Sequence, residues 1–328
     1  MTVTTGSGQR RIPIFWIMGA GGAVIALPWF VSSTYGLVLL NMALIHSLLV
    51  LGFNFIYGLT GILSLAQAAL WGIGAYTSAI LTTEKGLSFW LALPAAGILA
   101  GLAGFLLGAF TLKLKSHYLT MVTIGFSEIV RLVLLNYEEL THGAFGIRNI
   151  PPPALGPLTL QNPRLFYYLA LFFVLLALLF TGRFRDSRLG LALQALRDDE
   201  LAAAAVGVDV AYGKILAFTL SGLLSGVAGS LFAHFATYIS PDLFSLEATI
   251  RFLSMLLIGG VGTLAGPVIG AFFLTYLPEW LRFLQDYYMA VYGLGILLVL
   301  IFLPQGIAGF LGRGLRWTGE GGKSYGPS

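Results

Sequence analysis

The chain has 328 residues, of which 57% are hydrophobic and only 10% are charged, and its net charge is +4 at pH 7. Soluble domains carry roughly 25% charged residues, so the composition excludes a water-soluble protein and indicates a membrane protein. The low net charge speaks against nucleic-acid binding, and the lack of cysteine excludes disulfides, thiol nucleophiles and thiolate metal sites.

Hydrophobic stretches of about 20 residues are long enough to cross a bilayer core of roughly 30 Å as helices. The sequence predicts about ten such spans, at residues 12–31, 37–57, 61–81, 87–112, 118–135, 165–181, 215–238, 252–261, 264–283 and 288–303. The segment 252–261 is too short to cross alone, and the glycines beside it favour a broken or tilted segment lined by protein. We therefore expect an all-α polytopic protein with a single transmembrane domain over residues 1–328.

Lysine and arginine are distributed unevenly between the predicted loops. Placing both termini in the cytoplasm leaves only Lys85, Arg148, Arg164, Arg251 and Arg282 outside, which fits the positive-inside rule. In this orientation residues 136–163 form an outer loop, residues 182–213 a cytoplasmic loop and residues 304–328 a cytoplasmic tail. Within the cytoplasmic loop, the Ala- and Leu-rich stretch 191–206 with charges between them predicts an amphipathic helix.

The predicted spans form two sets of four, the second to fifth and the seventh to tenth, which run in opposite directions. This is the arrangement of an inverted repeat, and such repeats tend to place a substrate path at their interface. Glycine pairs one helical turn apart predict close helix packing, with contacts inside the chain favoured over a dimer seam. These pairs are Gly97/Gly101, Gly104/Gly108, Gly222/Gly226 and Gly266/Gly270.

Polar residues inside the predicted spans are candidates for a translocation path. They are Asn54, Ser64, Gln67 and Tyr76. A polar side chain that faces lipid is costly, so these residues should face the bundle or a wet cavity. They could serve a conduit in which amino and carboxylate groups need partners, or they could hold the fold through interhelical hydrogen bonds.

Glu128 and Arg131 are the acid–base pair deep in a predicted span, and their spacing of three puts them on one helix face. Each charge costs about 2.5–3.5 kcal/mol at the bilayer centre, so an intramembrane ion pair is expected. A neutralised structural pair is favoured over a gate, because pairing alone lowers the burial cost. The spans carry no chain of Asp, Glu or His, which weighs against a proton-coupled carrier.

Nucleotide, metal and catalytic motifs are not found in the sequence. The tail GGKS at residues 321–324 lacks the first glycine of a phosphate-binding loop, since Trp317 stands there. The four histidines are scattered and give no metal-ligand spacing. We therefore expect no catalytic residues, no metal site and no cofactor bound by this chain.

Several segments together resemble the permease family of bacterial high-affinity branched-chain amino acid ABC importers, the LivH/LivM type, and more closely LivM. The matching stretches are GLTGILSLAQAALWGIGAY, FSEIVRLVLLN followed by THGAFGIRNIPPP, GLALQALRDDELAAAAVGVDVAYGKILAF and LSMLLIGGVGTLAGPVIGAF. They run from about residue 52 to 309. One departure is Ala66, where family members often have glycine.

The resemblance implies a type II ABC importer-like fold in the bacterial cytoplasmic (inner) membrane. It implies a LivH-like permease partner, two cytoplasmic ATPase subunits that use ATP and Mg, and an extracytoplasmic substrate-binding protein. We also expect the chain to contact membrane lipid, and we expect no nucleic-acid partner. It further implies that RDDELAAAAVG docks on an ATPase subunit through Arg197, Asp198, Asp199, Glu200, Ala203 and Gly207.

Branched-chain or related amino acids are the expected substrates of this ATP-driven import. A urea or short-amide permease of the same family is one alternative, and a stand-alone secondary carrier or channel is another. The sequence does not decide between a homodimer and a heterodimer of permeases.

Overall fold

The computed structural model describes residues 26–31, 33–112, 114, 116–155, 158–281, 293 and 306–309. The helices are α1 (Thr34–Phe53), α2 (Gln67–Thr83), α3 (Phe89–Thr111), α4 (Ser116–Asn136), α5 (Glu138–Thr141), α6 (Pro163–Arg185), α7 (Arg188–Asp198), α8 (Glu200–Ala205), α9 (Val210–Ala236), α10 (Leu246–Gly259) and α11 (Gly266–Trp280). Short antiparallel pairs join β1 (Ile147–Arg148) to β4 (Tyr238–Ile239) and β2 (Ala154–Leu155) to β3 (Leu158–Thr159).

Within these residues, five helices are long and apolar enough to cross a membrane. They are Thr34–Gly58, Phe89–Thr111, Tyr118–Asn136, Pro163–Arg185 and Val210–Ala236. The architecture is therefore that of a helical, multi-pass membrane protein. The predicted spans 12–31 and 288–303 lie largely outside the described residues.

The predicted span 61–81 is wrong in its first six residues. Helix α1 continues through a π-helical turn at Asn54–Gly58, after which residues 61–66 are non-helical and α2 begins only at Gln67. Gly61 has a φ of 71°, which interrupts a right-handed helix and which glycine adopts without a steric cost. A continuous apolar run does not reveal such a break, because periodicity fails to separate an apolar non-helical segment from a helix.

Helix α9 lies at the centre and packs on α1, α2 and α3. Glycines make the approach to α3 possible, since a Cβ atom at Gly222 would lie 2.3 Å from the carbonyl oxygen of Ala100. Likewise, a Cβ atom at Gly104 would lie 2.3 Å from the carbonyl oxygen of Phe218. The expected packing of these glycines within the chain is confirmed, and it brings two backbones into direct contact.

A chain of buried polar groups joins α2, α9 and the outer loop. The hydroxyl of Ser78 lies 2.7 Å from that of Ser230 and 2.9 Å from Nε2 of His234. Nδ1 of His234 donates to the carbonyl oxygen of Pro151 at 2.6 Å. Each member therefore has a partner, which an apolar interior requires, and the outer loop is fixed to the end of α9.

The loop of residues 182–213, predicted to be cytoplasmic, contains two helices where the sequence predicted one over residues 191–206. Helix α7 ends at Asp198, and Asp199 is extended, with φ −160° and ψ 113°. The carboxylate of Asp199 accepts hydrogen bonds from the backbone N–H groups of Leu201 and Ala202, which begins a new helix. A short acidic side chain competes with a continuous helix in this way, and alanine-rich composition does not show it.

Candidate functional site

The structure contains two similar breaks. The first is residues 61–66, between α1 with its π-turn and α2, and the second is residues 237–245, between α9 and α10. A long helix, a segment that is not α-helical and a shorter helix thus follow one another in both predicted repeats. In transporters, discontinuous helices of this kind supply free backbone groups to the substrate site.

The two short helices meet at their starts. The backbone N–H of Ala68, in the first turn of α2, donates to Oγ1 of Thr249, in the first turn of α10, at 3.0 Å. Both residues are buried. The first N–H groups of a helix have no partner inside it, so this contact satisfies one of them and joins the two breaks.

Helix α4 holds both breaks. Towards its start, the hydroxyl of Thr120 donates to the carbonyl oxygen of Leu63 at 2.9 Å, and that of Thr123 accepts from the N–H of Leu65 at 2.9 Å. Towards its end, Arg131 lies 3.6 Å from a carboxylate oxygen of Asp242, in the 3-10 turn Pro241–Phe244 of the second break. One helix is therefore attached to the non-helical part of each repeat.

Arg131 also pairs with Glu128 on the same helix. Its Nη2 lies 2.6 Å from one carboxylate oxygen, and Nε lies 3.1 Å from the other, so both oxygens are engaged. The Glu128 side chain is 48% exposed and that of Arg131 is 25% exposed on the surface of the chain. The two charges neutralise each other but are not enclosed by the fold.

The four polar residues predicted for a path are all buried. Gln67 donates to the hydroxyl of Ser225 at 2.7 Å and accepts from that of Ser221 at 3.0 Å, which ties α2 to α9. The hydroxyl of Ser64 accepts from the N–H of Ala66 at 3.4 Å. In the described part of the chain, the hydroxyl of Tyr76 has no hydrogen-bond partner. Their role in a path stays a prediction.

Asn54 belongs to a junction at the π-turn of α1. Its side chain accepts from the N–H of Gly262 at 2.9 Å and donates to the carbonyl oxygen of Thr263 at 3.1 Å. Nη1 of Arg197, from the end of α7, donates to the carbonyl oxygen of Gly58 at 2.7 Å. We call this group the inner junction. It connects α1, the turn between α10 and α11, and the loop of residues 182–213.

The residues predicted to dock on an ATPase are placed differently from one another. Asp199 caps α8, and Glu200 forms an ion pair of 2.8 Å with Lys214, whose side chain is only 7% exposed. Ala203 is buried, whereas Asp198 and Gly207 are exposed. Their docking on an ATPase stays a prediction.

The apolar surface of α8 was not identified from the sequence. Leu201 is 84% exposed and Val206, at the end of the helix, is 80% exposed. Ser187, Asp199 and Asp209 each cap the start of a helix in this loop with a side-chain oxygen. The caps hold the loop in a defined shape, and the alternation of charged and apolar residues could have indicated the exposed pair.

A model of the family described as branched-chain amino acid transport system / permease component matches residues 36–300. The chain belongs to this family. It is 36% identical over 308 residues to the high-affinity branched-chain amino acid transport system permease protein LivM of Salmonella typhimurium, which covers 87% of this chain and 72% of LivM. The LivM protein of Escherichia coli gives the same values.

The permease is also 25% identical over 287 residues to LivH of Escherichia coli, across 80% of this chain and 91% of LivH. Both relatives are named as permease proteins of a transport system, and this chain is a transport permease of the same kind. The resemblance to the LivH/LivM type is therefore confirmed. No solved structure matches the chain.

Proposed function

We propose that the permease conducts branched-chain or related amino acids through the bacterial inner membrane as part of an ATP-driven importer. Its assembly would contain a LivH-like permease, two cytoplasmic ATPase subunits and an extracytoplasmic binding protein. The fold would have ten helices in a type II importer arrangement, with both termini in the cytoplasm. The support is the similarity to LivM over most of the chain, since LivM is named for branched-chain amino acid transport.

The exposed apolar residues Leu201 and Val206 on α8 support the proposal that another subunit, which hydrolyses ATP, drives transport. Leu201 and Val206 lie on a capped helix of the loop that we place in the cytoplasm, next to the charged residues Asp198 and Glu200. Apolar side chains that protrude from a short helix suit a groove on another protein, with charges at the rim to fix orientation. The occupant we propose is the cytoplasmic ATPase subunit.

The inner junction would pass this force to the spans. Arg197 lies three residues before the start of α8, and its guanidinium group donates to the carbonyl oxygen of Gly58 at the end of the π-turn that follows α1. The ion pair between the half-exposed Glu200 and the buried Lys214 attaches α8 to α9. Movement of α8 is therefore connected to two long helices by short, charge-assisted contacts.

Reconstitution tests the proposal. The permease, its LivH-like partner, both ATPases and the binding protein are assembled in liposomes, and labelled leucine uptake is measured. Uptake should need ATP and all the partner chains. Uptake by the permease alone in an ion gradient would support a secondary carrier, and uptake of urea in place of leucine would support an amide permease.

A pair of variants tests docking on α8. Leu201→Glu should lower co-purification of the ATPase by at least about tenfold, the size expected when a buried contact residue is lost. Leu191→Glu is the control, because Leu191 is an exposed leucine in the same loop outside α8. An equal loss of ATPase in both variants, or in neither, would contradict the assignment of α8.

A further inference from the structure

Helix α4 is the least buried of the five candidate spans. Over the most apolar 18 residues of each helix, 22% are buried in α4 and 39–72% are buried in the other four. The mean hydropathy of α4 over those residues, 1.6, is also the lowest of the five. Its exposed surface includes Met121, Val122, Glu128, Ile129, Leu132 and Val133. We call these residues the open face of α4.

The open face differs from the exposed surfaces of α3 and α6 by its charge. The exposed surfaces of those two helices carry leucine, isoleucine, phenylalanine and tryptophan, and residues 89–111 and 165–182 contain no charged side chain. Such surfaces suit lipid. A half-exposed carboxylate such as that of Glu128 in a span is costly against lipid tails, so intramembrane charges face a bundle interior or a water-filled cavity.

Arg131 lies beside the open face and interacts with two carboxylates. Arg131 is engaged by Glu128 at 2.6 Å and by Asp242 at 3.6 Å, and the Asp242 side chain is 80% exposed. Gly125 lies one turn before Glu128, and a Cβ atom there would meet nothing within 4 Å. Leu132 lies one turn after Glu128 and is exposed. Space, two opposite charges and apolar surface therefore lie along one stripe of the helix.

We propose that the open face of α4 lines an aqueous passage, and that Glu128 and Arg131 separate to hold the ammonium and carboxylate groups of a passing amino acid. This inference rests on the proposed function, because it takes a zwitterionic amino acid as the substrate. The substrate exchanges like for like: its ammonium group replaces Arg131 at Glu128, and its carboxylate replaces Glu128 at Arg131. The single pair between Glu128 and Arg131 gives way to two pairs with the substrate, so neither side chain is left without a counter-charge, and Ile129 and Leu132 lie beside the substrate side chain.

Helix α4 contacts both breaks, so the helix that carries this stripe is attached to both repeats. Thr123 holds the first break through the N–H of Leu65, and Arg131 reaches Asp242 in the second. Glu128 lies between these two attachments on the helix. A substrate that opens the contact between Glu128 and Arg131 would therefore act on the helix that holds both breaks.

The natural lack of cysteine allows a direct test of the open face. Single variants Gly125→Cys and Leu132→Cys are made in the complete transporter in membranes, with Leu102→Cys in α3 and Leu175→Cys in α6 as controls. A charged, water-soluble thiol reagent should label the first two variants at least about tenfold faster than the controls, since thiolate forms only in contact with water. Equal rates in all four would overturn the proposal.

Charge variants test substrate binding. In the reconstituted transporter, Glu128→Gln should lower leucine uptake per ATP hydrolysed by about tenfold or more, while the thermal midpoint and the ATPase rate are kept. Glu247→Gln is the control, because Glu247 forms an exposed pair with Arg251 on α10 at 3.4 Å. Unchanged uptake by Glu128→Gln would overturn the proposal.

The double variant Glu128→Gln with Arg131→Gln separates substrate binding from a structural pair. Removing both charges restores a structural pair to near neutrality, whereas a substrate site stays inactive. Wild-type uptake in the double variant would overturn the proposal. If the wild-type transporter itself took up no amino acid with ATP, the proposed function would fail, and the thiol labelling would still report whether the open face meets water.

Discussion

Nη1 of Arg197 donates a hydrogen bond of 2.7 Å to the carbonyl oxygen of Gly58, although 139 positions separate the two residues in the chain. The acceptor lies at the end of a π-helical turn, where helical hydrogen bonding is irregular and a carbonyl group is open to an outside donor. Arg197, which the sequence predicted to be part of a docking surface, is therefore hydrogen-bonded to a membrane span of its own chain.

The first prediction concerns this contact. Arg197→Gln should lower leucine uptake per ATP hydrolysed about tenfold, because a hydrogen bond from a charged group contributes about 1.5–3 kcal/mol. Binding of the ATPase subunits should be unchanged, and Arg188→Gln, at an exposed position at the start of α7, should behave as wild type. Loss of ATPase binding in Arg197→Gln would instead place Arg197 at the docking surface.

The second prediction concerns the ion pair between Glu200 and Lys214. Glu200→Ala should destabilise the permease by about 1–3 kcal/mol, because it leaves an ammonium group that is 7% exposed without its carboxylate. Adding Lys214→Met should recover most of this loss. Thermal unfolding in detergent measures both, with the exposed Glu247→Ala as a control of small effect. If Lys214→Met restored no stability to Glu200→Ala, the loss would not come from the unpaired ammonium group of Lys214.

This pair also limits how docking can be tested. A substitution such as Glu200→Arg would place a second cation against the buried ammonium group of Lys214, so a loss of transport would report misfolding as readily as lost docking. The exposed Leu201 is the cleaner position, since its side chain is 84% outside the chain.

The third prediction concerns the cap at Asp199. Asp199→Ala should destabilise α8 by about 1 kcal/mol and weaken ATPase binding, whereas Asp199→Asn should keep both, because an amide oxygen still accepts the bonds from Leu201 and Ala202. Co-purification and thermal unfolding measure the two effects. If both variants lost the ATPase equally, the charge of Asp199, and not its capping role, would be required.

The fourth prediction compares two glycines inside helices. Gly222→Ala should destabilise the permease by about 1–3 kcal/mol or more, because the added methyl group would meet the carbonyl oxygen of Ala100 at 2.3 Å. Gly125→Ala meets nothing within 4 Å and should be neutral or stabilising by up to about 1 kcal/mol. Thermal unfolding of the isolated permease decides, and similar losses in both would refute the close packing of α9 on α3.

Local patterns predicted the local features of the site. Spacing of three placed Glu128 beside Arg131, and spacing of four placed Gly222 on a packing face, because helix geometry fixes both within one or two turns. The break before Gln67 was missed, since an apolar extended segment and an apolar helix have the same composition.

Long-range partners were beyond the sequence. Nothing near Lys214 indicates that Glu200 folds back on it, and nothing near Thr249 indicates that its hydroxyl serves the N–H of Ala68. The first contact depends on how the loop of residues 182–213 folds back on α9 and the second on how the two repeats pack, and the neighbouring residues indicate neither. The break between α7 and α8 at Asp199 was missed because local hydrogen bonds of its side chain override the helix propensity of the alanines that follow.

The attachments of α4 have a mechanical consequence. At about 1.5 Å per residue, Thr120 and Arg131 are separated by about 16 Å along a helix that is continuous between them. A rigid rod that pivots between two such points moves its ends in opposite directions, like a see-saw. If α4 tilts so that the break of one repeat moves inward, the break of the other repeat moves outward. One movement of α4 therefore shifts the two breaks in opposite directions and cannot open the permease on both faces of the membrane.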